Sequence, residues 1–553
     1  MTLPLLQLNP DLLDSSRQSV VSPGDLNACL NSHGLYNSFQ FVLRLSPEVH
    51  RRIAALPDGI VTGPLDFDNV QAFSTYLHET IHWWQHVGST SGLLMSLSYP
   101  AQAHANYDQL KNLVAAIGPK KSILRLVETR ALLGSGDPTT PAGLANIILN
   151  NYFDIESFRR LLTSAGAVRE TVENPLFDSV GHSYYIAYAN ILLILASTLD
   201  KNFEIVPDPK NWAQPFAELR AQKERGYYYG SNVTVPPLAA HDIFEGQARF
   251  GQLQYLHFAS GKRFDWDDAH SKGMLNGIYG SAFKAFLQLA EVDWPSSIDD
   301  PTVALFMLVC DVAINPSAGF PMRLHVFKTF IEDVNPAIRF LFLCRTIAVR
   351  RPDVARAIRY YSRSEYAEVA HALCRPLLLD PPLAVAETVT RWMRDSQNIK
   401  SLMAEHQSFD YGPANLPVRL LFSHFLAFSA DKFTQPEVFC WPGAWMAGRR
   451  VSLQIAALFE RHSALFVDKP DDDGVFPRVF PDKDEANVHR TFETFYAFNV
   501  SYELTRQWIA KAGPFEYNFR WLSTSATQED LKSFGDRHFQ MIYGVHPDSV
   551  QVI

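Results

Sequence analysis

FSTYLHETIHWWQH, residues 73–86, decides how this chain is read. Phe73, Leu77, Ile81 and Trp84 recur at spacings of four, four and three, the stripe of an amphipathic α-helix. Beside the stripe lies His78-Glu79-Thr80-Ile81-His82, the pattern H-E-x-x-H. Residues four apart on a helix share one face, about 6 Å apart along the axis. Two imidazoles so placed can hold one Zn²⁺ and leave positions for a third protein ligand and a water. A glutamate beside the first histidine reaches that water as a general base. The apolar stripe is expected to pack inward while His78, Glu79 and His82 face a cleft. Asp68 is expected to cap the helix at its start and Gly88 to end it.

Outward from this helix the pattern is mainly α, with a small N-terminal β element. FQFVLRL, residues 39–45, alternates apolar with polar positions as a half-buried strand does, and GIVTGPLDF after it has room for one more short strand. Downstream, helical periodicity predicts helices over 155–164, 182–199, 239–259, 273–290, 303–314, 323–348, 353–372, 383–404, 417–429, 443–462 and 487–511. Loops rich in Pro, Asp and Ser near 292–302 and 407–417 punctuate the chain. The segment 468–486 is expected to be a solvated surface loop. Its Asp468, Asp471 and Asp473 miss the every-second-residue spacing of an EF-hand. The expected organisation is a metal-binding catalytic domain over 1–300 and a helical domain of unassigned role over 301–553.

Composition narrows the function classes. Hydrophobic residues at 47% with 19% charged residues match an ordinary globular protein. A net charge of −9 argues against nucleic-acid binding, which leaves a basic footprint. The five cysteines are scattered and form no C-x-x-C pair, which predicts reduced core residues in a cytoplasmic protein. The first residues carry no basic run ahead of an apolar one, so no secretory signal is expected. The most apolar stretch, 184–199, contains Asn190 and falls short of the roughly 20 apolar residues a membrane span needs. It is read as a buried helix, with no membrane partner.

A zinc site with two histidines commonly takes a carboxylate as its third ligand. Glu245, inside the helix predicted over 239–259, is the strongest candidate: a glutamate on an apolar helix needs a partner, and a metal is one. Arg249, four residues on, offers an alternative partner as an intrahelical ion pair. His86 is excluded as a ligand, because eight helical residues place it about 12 Å from His78; it is expected in the cleft or at the surface. His241 is a candidate for support around the centre or for an alternative ligand, and Asp242 for orienting a ligand imidazole. An oxyanion donor is sought among His182, Tyr184 and Tyr185, or Tyr227, Tyr228 and Tyr229.

With Glu245-Gly246-Gln247-Ala248 placed beside H-E-x-x-H, the chain resembles the gluzincin group of zincin metallopeptidases. Those enzymes pair such a helix with a downstream glutamate, followed in one branch by Gly-x-Ala. The resemblance implies His78, His82 and Glu245 as zinc ligands and Glu79 as general base. It covers about ten residues. The chain departs from the group in its long interval between the motifs, in Arg at 249 where one branch carries an acid, and in lacking a Gly-x-Met-Glu-Asn segment. The expected activity is that of a zinc metallopeptidase with a protein or peptide substrate. Hydrolysis of a non-peptide amide shares the same site. The alternative class is a helical interaction protein whose metal site is structural or vestigial.

Overall fold

The structure is a computed structural model that describes residues 8–14, 29, 32–56, 59, 66–129, 137–233 and 235–553. The chain is mainly α-helical with a small β element. Strands β1 (Gly34–Asn37) and β2 (Val42–Leu45) form an antiparallel hairpin, with Gly34 opposite Leu45. The strand expected over 39–45 is thus shorter at its start, because residues 38–41 make the turn of the hairpin. The second short strand expected after it falls mostly on residues 60–65, outside the described ones.

Helix α1 (Phe67–Gly88) follows and carries the motif. Its cap is Asp66, not Asp68: the Asp66 carboxylate accepts from the Asp68 backbone N–H at 3.1 Å. The Asp68 side chain instead accepts from Asn9 Nδ2. Past Gly88 the chain turns at Ser89 into α2 (Thr90–Ile117), a helix the periodicity does not predict. Ser89 serves both helices, donating to the Gln85 carbonyl at 2.6 Å and accepting from Gly92 N–H at 3.0 Å. Gly92 is required here, since a Cβ would stand 1.9 Å from the Gln85 carbonyl oxygen.

The helices that follow include α3 (Pro141–Thr163), α4 (Val180–Leu199), α5 (Ala240–Ala259), α6 (Ile278–Ala290) and α7 (Pro301–Ala313), of which α5 packs along α1. They are joined by α8 (Leu416–Thr434) and α9 (Glu485–Ala510). Helix α4 is long and apolar enough to cross a membrane, yet 67% of its apolar 18-residue window is buried inside the protein. Several long predicted helices are broken where the chain supplies a stop. The stretch 323–348 divides before Pro336, 353–372 keeps a helix only over Arg363–Cys374, and 383–404 splits at Ser396. The stretch 443–462 divides into Pro442–Trp445 and Leu453–Arg461.

The segment 468–486 is not simply a surface loop. Strands β3 (Phe466–Lys469) and β4 (Asp472–Pro477) form a second hairpin, and β3 runs parallel to β2 through Leu43 and Val467. The sheet order is β1-β2-β3-β4. Asp468 is buried, accepting from the Leu45 N–H and holding His50 Nε2 at 2.7 Å. Arg44 is buried on β2 and satisfied by the carbonyls of Asp473, Gly474 and Trp521. The sheet therefore draws on both sides of residue 300, and one apolar core extends from Leu8 to Tyr496. Cys29, Cys310, Cys344, Cys374 and Cys440 are all buried, and none of them forms a disulfide among the described residues.

Candidate metal centre

Helix α1 lies at the middle of this core, and every residue from Val70 to Gly88 except Thr75 is buried. The expected stripe packs inward: Phe73 and Leu77 are fully enclosed, and Trp84 Nε1 donates to the His462 carbonyl. Helix α5 packs along α1 and brings Glu245 opposite the two histidines. His78 Nε2 and His82 Nε2 lie 3.1 Å apart, and each is 3.4 Å from Glu245 Oε2. Bonds of 2.0–2.2 Å in a tetrahedral shell separate ligand atoms by about 3.3–3.6 Å. The three atoms thus form one face of a tetrahedron of zinc size, and the residues present fit the ion.

The hydrogen bonds around His82 fix which of its nitrogens is free. Gln85 Nε2 donates to the Phe244 carbonyl and to Gln247 Oε1, both at 2.9 Å. That leaves Gln85 Oε1 to accept from His82 Nδ1 at 2.8 Å. With its proton on Nδ1, the neutral ring presents the Nε2 lone pair to the centre, the support metal-bound histidines usually receive. His78 has no such support, since its Nδ1 is buried without a partner. The role expected of Asp242 therefore falls to Gln85. Asp242 instead caps α5 through the Ala239 N–H and accepts from Ser281.

Burial and mutual charge set the protonation of the three donors. Burial pushes His78 down to about 4, with the Glu245 carboxylate opposing. Burial also disfavours charge on His82, but Glu245 outweighs it and raises this ring to about 9. Burial would raise Glu245, yet the two histidines hold it well below the usual carboxylate range. A proton on His82 thus balances the carboxylate. Glu79, enclosed beside them, is pushed by burial to about 8; His82 pulls it down, while Glu245 and Asp14 push it further up.

The centre forms a partition between two cavities. On one side His78 and Glu79 open onto a cavity of about 180 Å³, with Arg249, Tyr279 and Lys272 in its wall. On the other, His82 and Glu245 line a cavity of about 310 Å³ together with Tyr36, Tyr99, Arg159 and Arg506. The Glu79 carboxylate packs on Gly34 of β1, where a Cβ would come within 2.6 Å of Oε1. The bare glycine therefore leaves room for the carboxylate between strand and helix.

His86 stays out of the donor triangle, as its distance demands. Its Nδ1 donates to the His82 carbonyl at 2.9 Å, and its ring lies between Tyr36 and Phe244 in the wall of the larger cavity. It is a buried cleft residue. His241, at the rim of the same cavity, has Nε2 3.9 Å from Glu245 Oε1. The ion pair between Glu245 and Arg249, the alternative to a metal-ligand role, is not formed among the described residues: the Arg249 guanidinium faces Asp14 at 3.8 Å and stacks on Tyr279.

None of the tyrosines expected as oxyanion donors reaches either cavity. Tyr184 is buried against Asn335, Tyr185 stacks on Phe216, and Tyr227 donates to the Phe327 carbonyl. Tyr228 and the exposed Tyr229 also stand away from the centre, and His182 faces Asp154. The phenol beside the centre belongs to Tyr279, whose ring lies 5.9 Å from that of His78. Burial raises it to about 12, so it remains a proton-bearing donor at neutral pH. Tyr279 carried no signal in the sequence beyond an aromatic near a helix start. Gln85 did carry one: it stands three residues past His82, on the same helical face.

Comparison of the chain with protein-family models, with curated proteins and with solved structures found no match.

Proposed function

We propose that the chain is a zinc-dependent hydrolase, and specifically a peptidase with the ligand set of the gluzincins. The observation that carries this reading is the triangle of His78 Nε2, His82 Nε2 and Glu245 Oε2, with edges of 3.1, 3.4 and 3.4 Å, beside a buried glutamate. Zinc held there would supply a Lewis acid that polarises a carbonyl and acidifies water.

The remaining work falls to named side chains. Glu79, between the centre and Gly34, accepts a proton from water at its carboxylate and returns it to the departing amine. Burial raises its carboxyl, and a cation beside it would favour the charged form that acts as base. Tyr279 donates from its hydroxyl to the oxygen that becomes negative as the carbonyl is attacked. Gln85 keeps His82 in the tautomer that offers Nε2. Cavities on both sides of the centre give a substrate room on either side of the bond to be cut. We place the protein in the cytoplasm, which agrees with five buried cysteines that form no disulfide among the described residues.

The test is zinc content and peptide hydrolysis of the wild-type chain and of Glu79→Gln. One zinc per chain is expected in both, with hydrolysis reduced about 10²–10⁴-fold in the variant. Full activity in Glu79→Gln overturns the mechanism. Absence of stoichiometric zinc from the wild type leaves a helical interaction protein instead.

A further inference from the structure

The smaller cavity contains a cation that the hydrolytic step does not use. Arg249 is only 6% exposed, and its Nε is buried with no hydrogen-bond partner. Its plane is fixed, because the guanidinium carbon lies 3.8 Å from the centre of the Tyr279 ring. Its Nη1 donates to Gln252 Oε1, and Gln252 is anchored in turn on Ser74. Among the described residues, the carboxylate nearest its Nη2 is Asp14, at 3.8 Å, which is longer than a hydrogen bond. One oxygen of Asp14 is already occupied by the His33 N–H. A desolvated guanidinium gains most from a planar, bidentate carboxylate, and here its donors are incompletely used. Lys272 adds a second positive charge to the same wall, and Asn276 adds an amide.

We propose that Arg249 anchors a carboxylate of the substrate, making this cavity a specificity pocket for an acidic residue beside the scissile bond, with Asp14 standing near that place in the free chain. The inference rests on the hydrolase reading for the words substrate and scissile. The carboxylate preference itself does not depend on catalysis. A cavity of about 180 Å³ accommodates one short side chain next to Glu79 and His78. The carboxylate is either an Asp or Glu side chain or a chain terminus, and the probes separate the two.

The experiment is calorimetric titration of the full chain, zinc-loaded and zinc-free. The probes are N-acetylglutamate α-amide, its glutamine isostere, and N-acetylalanine, which carries only a terminal carboxylate. A carboxylate probe is expected to bind at least about 10-fold more tightly than the glutamine isostere, the scale of a buried charge-assisted hydrogen bond. Whichever acid shows the advantage identifies the source. Arg249→Met should remove the advantage with zinc content unchanged, Arg249→Lys should retain part of it, and Asp14→Asn should tighten binding several-fold.

Equal binding of acid and amide overturns the proposal. So does a preference that survives Arg249→Met, including one that vanishes only with zinc and therefore belongs to the metal. If Arg249→Met does not fold, unchanged binding in both Arg249→Lys and Asp14→Asn overturns it equally. Failure of the wild type to take up zinc overturns the hydrolase reading alone, because the zinc-free titrations still decide on Arg249.

Discussion

Asp311 and Lys432 meet at 2.6 Å inside the helical core, and His78, His82 and Glu245 meet at 3.1–3.4 Å elsewhere in it. Both clusters are buried and polar, but they are assembled on opposite rules. The Asp311 carboxylate receives Lys432 Nζ, the Tyr366 hydroxyl at 2.6 Å and the Asn315 amide at 3.2 Å. One acceptor group is surrounded by three donors, and the charges cancel. In the centre on α1 and α5, three lone-pair atoms point at one another, and the Gln85 amide satisfies the far side of only one ring. A buried charge must be paired or must bind a metal. The first cluster is complete as protein; the second is completed by a proton on His82 or by a cation.

The comparison breaks most sharply at His82→Ala. Loss of one of three protein ligands should weaken zinc binding about 10³-fold, a third of the roughly 12 kcal/mol typical of such sites, as chelator competition would read. Lys432→Met should leave zinc affinity unchanged and cost about 3–5 kcal/mol of unfolding free energy, because the Asp311 carboxylate is then buried without its counter-charge. Denaturant titration measures it, and a cost below 1 kcal/mol would put both clusters in one class. Gln85→Leu sharpens the picture by removing support without removing a ligand. Zinc affinity should fall about 10–100-fold while the helices stay packed, which circular dichroism and competition assays resolve together. The smallest effect is expected for His78→Phe in the zinc-free chain, a change within about 1 kcal/mol by denaturant titration. It removes an orphaned buried nitrogen, and sites kept for function are seldom optimal for stability.

Much of the centre could be read from local spacing. His78 and His82 share a face because they stand four apart on a helix, and the Phe73–Trp84 stripe shows which face is buried. Glu245 emerged from an apolar helix that could not bury a charge alone. Other features were illegible for identifiable reasons. The segment 468–486 looks like a loop because Asp and Pro dominate it, yet Asp472 Oδ1 accepts from the Gly474 N–H at the start of β4, and Val467 pairs with Leu43. That pairing joins positions more than 400 residues apart, which no local pattern encodes. Arg249 four residues after Glu245 suggests an ion pair by spacing, but the Asp14 carboxylate and the Tyr279 ring turned it toward the cavity.

The sequence by itself determined the helical class, the pair of histidines on one face, the glutamate beside them and the distance that keeps His86 apart, since local periodicity and the fixed rise and turn of a helix contain them. Only the tertiary structure decided that Glu245 Oε2 closes the triangle, that Gln85 sets the tautomer of His82, and that Arg249 and Tyr279 share a wall with Glu79. Those facts depend on how α1, α5, α6 and β1 pack together. Packing is set by the shapes of many buried side chains at once, which spacing along one element does not contain.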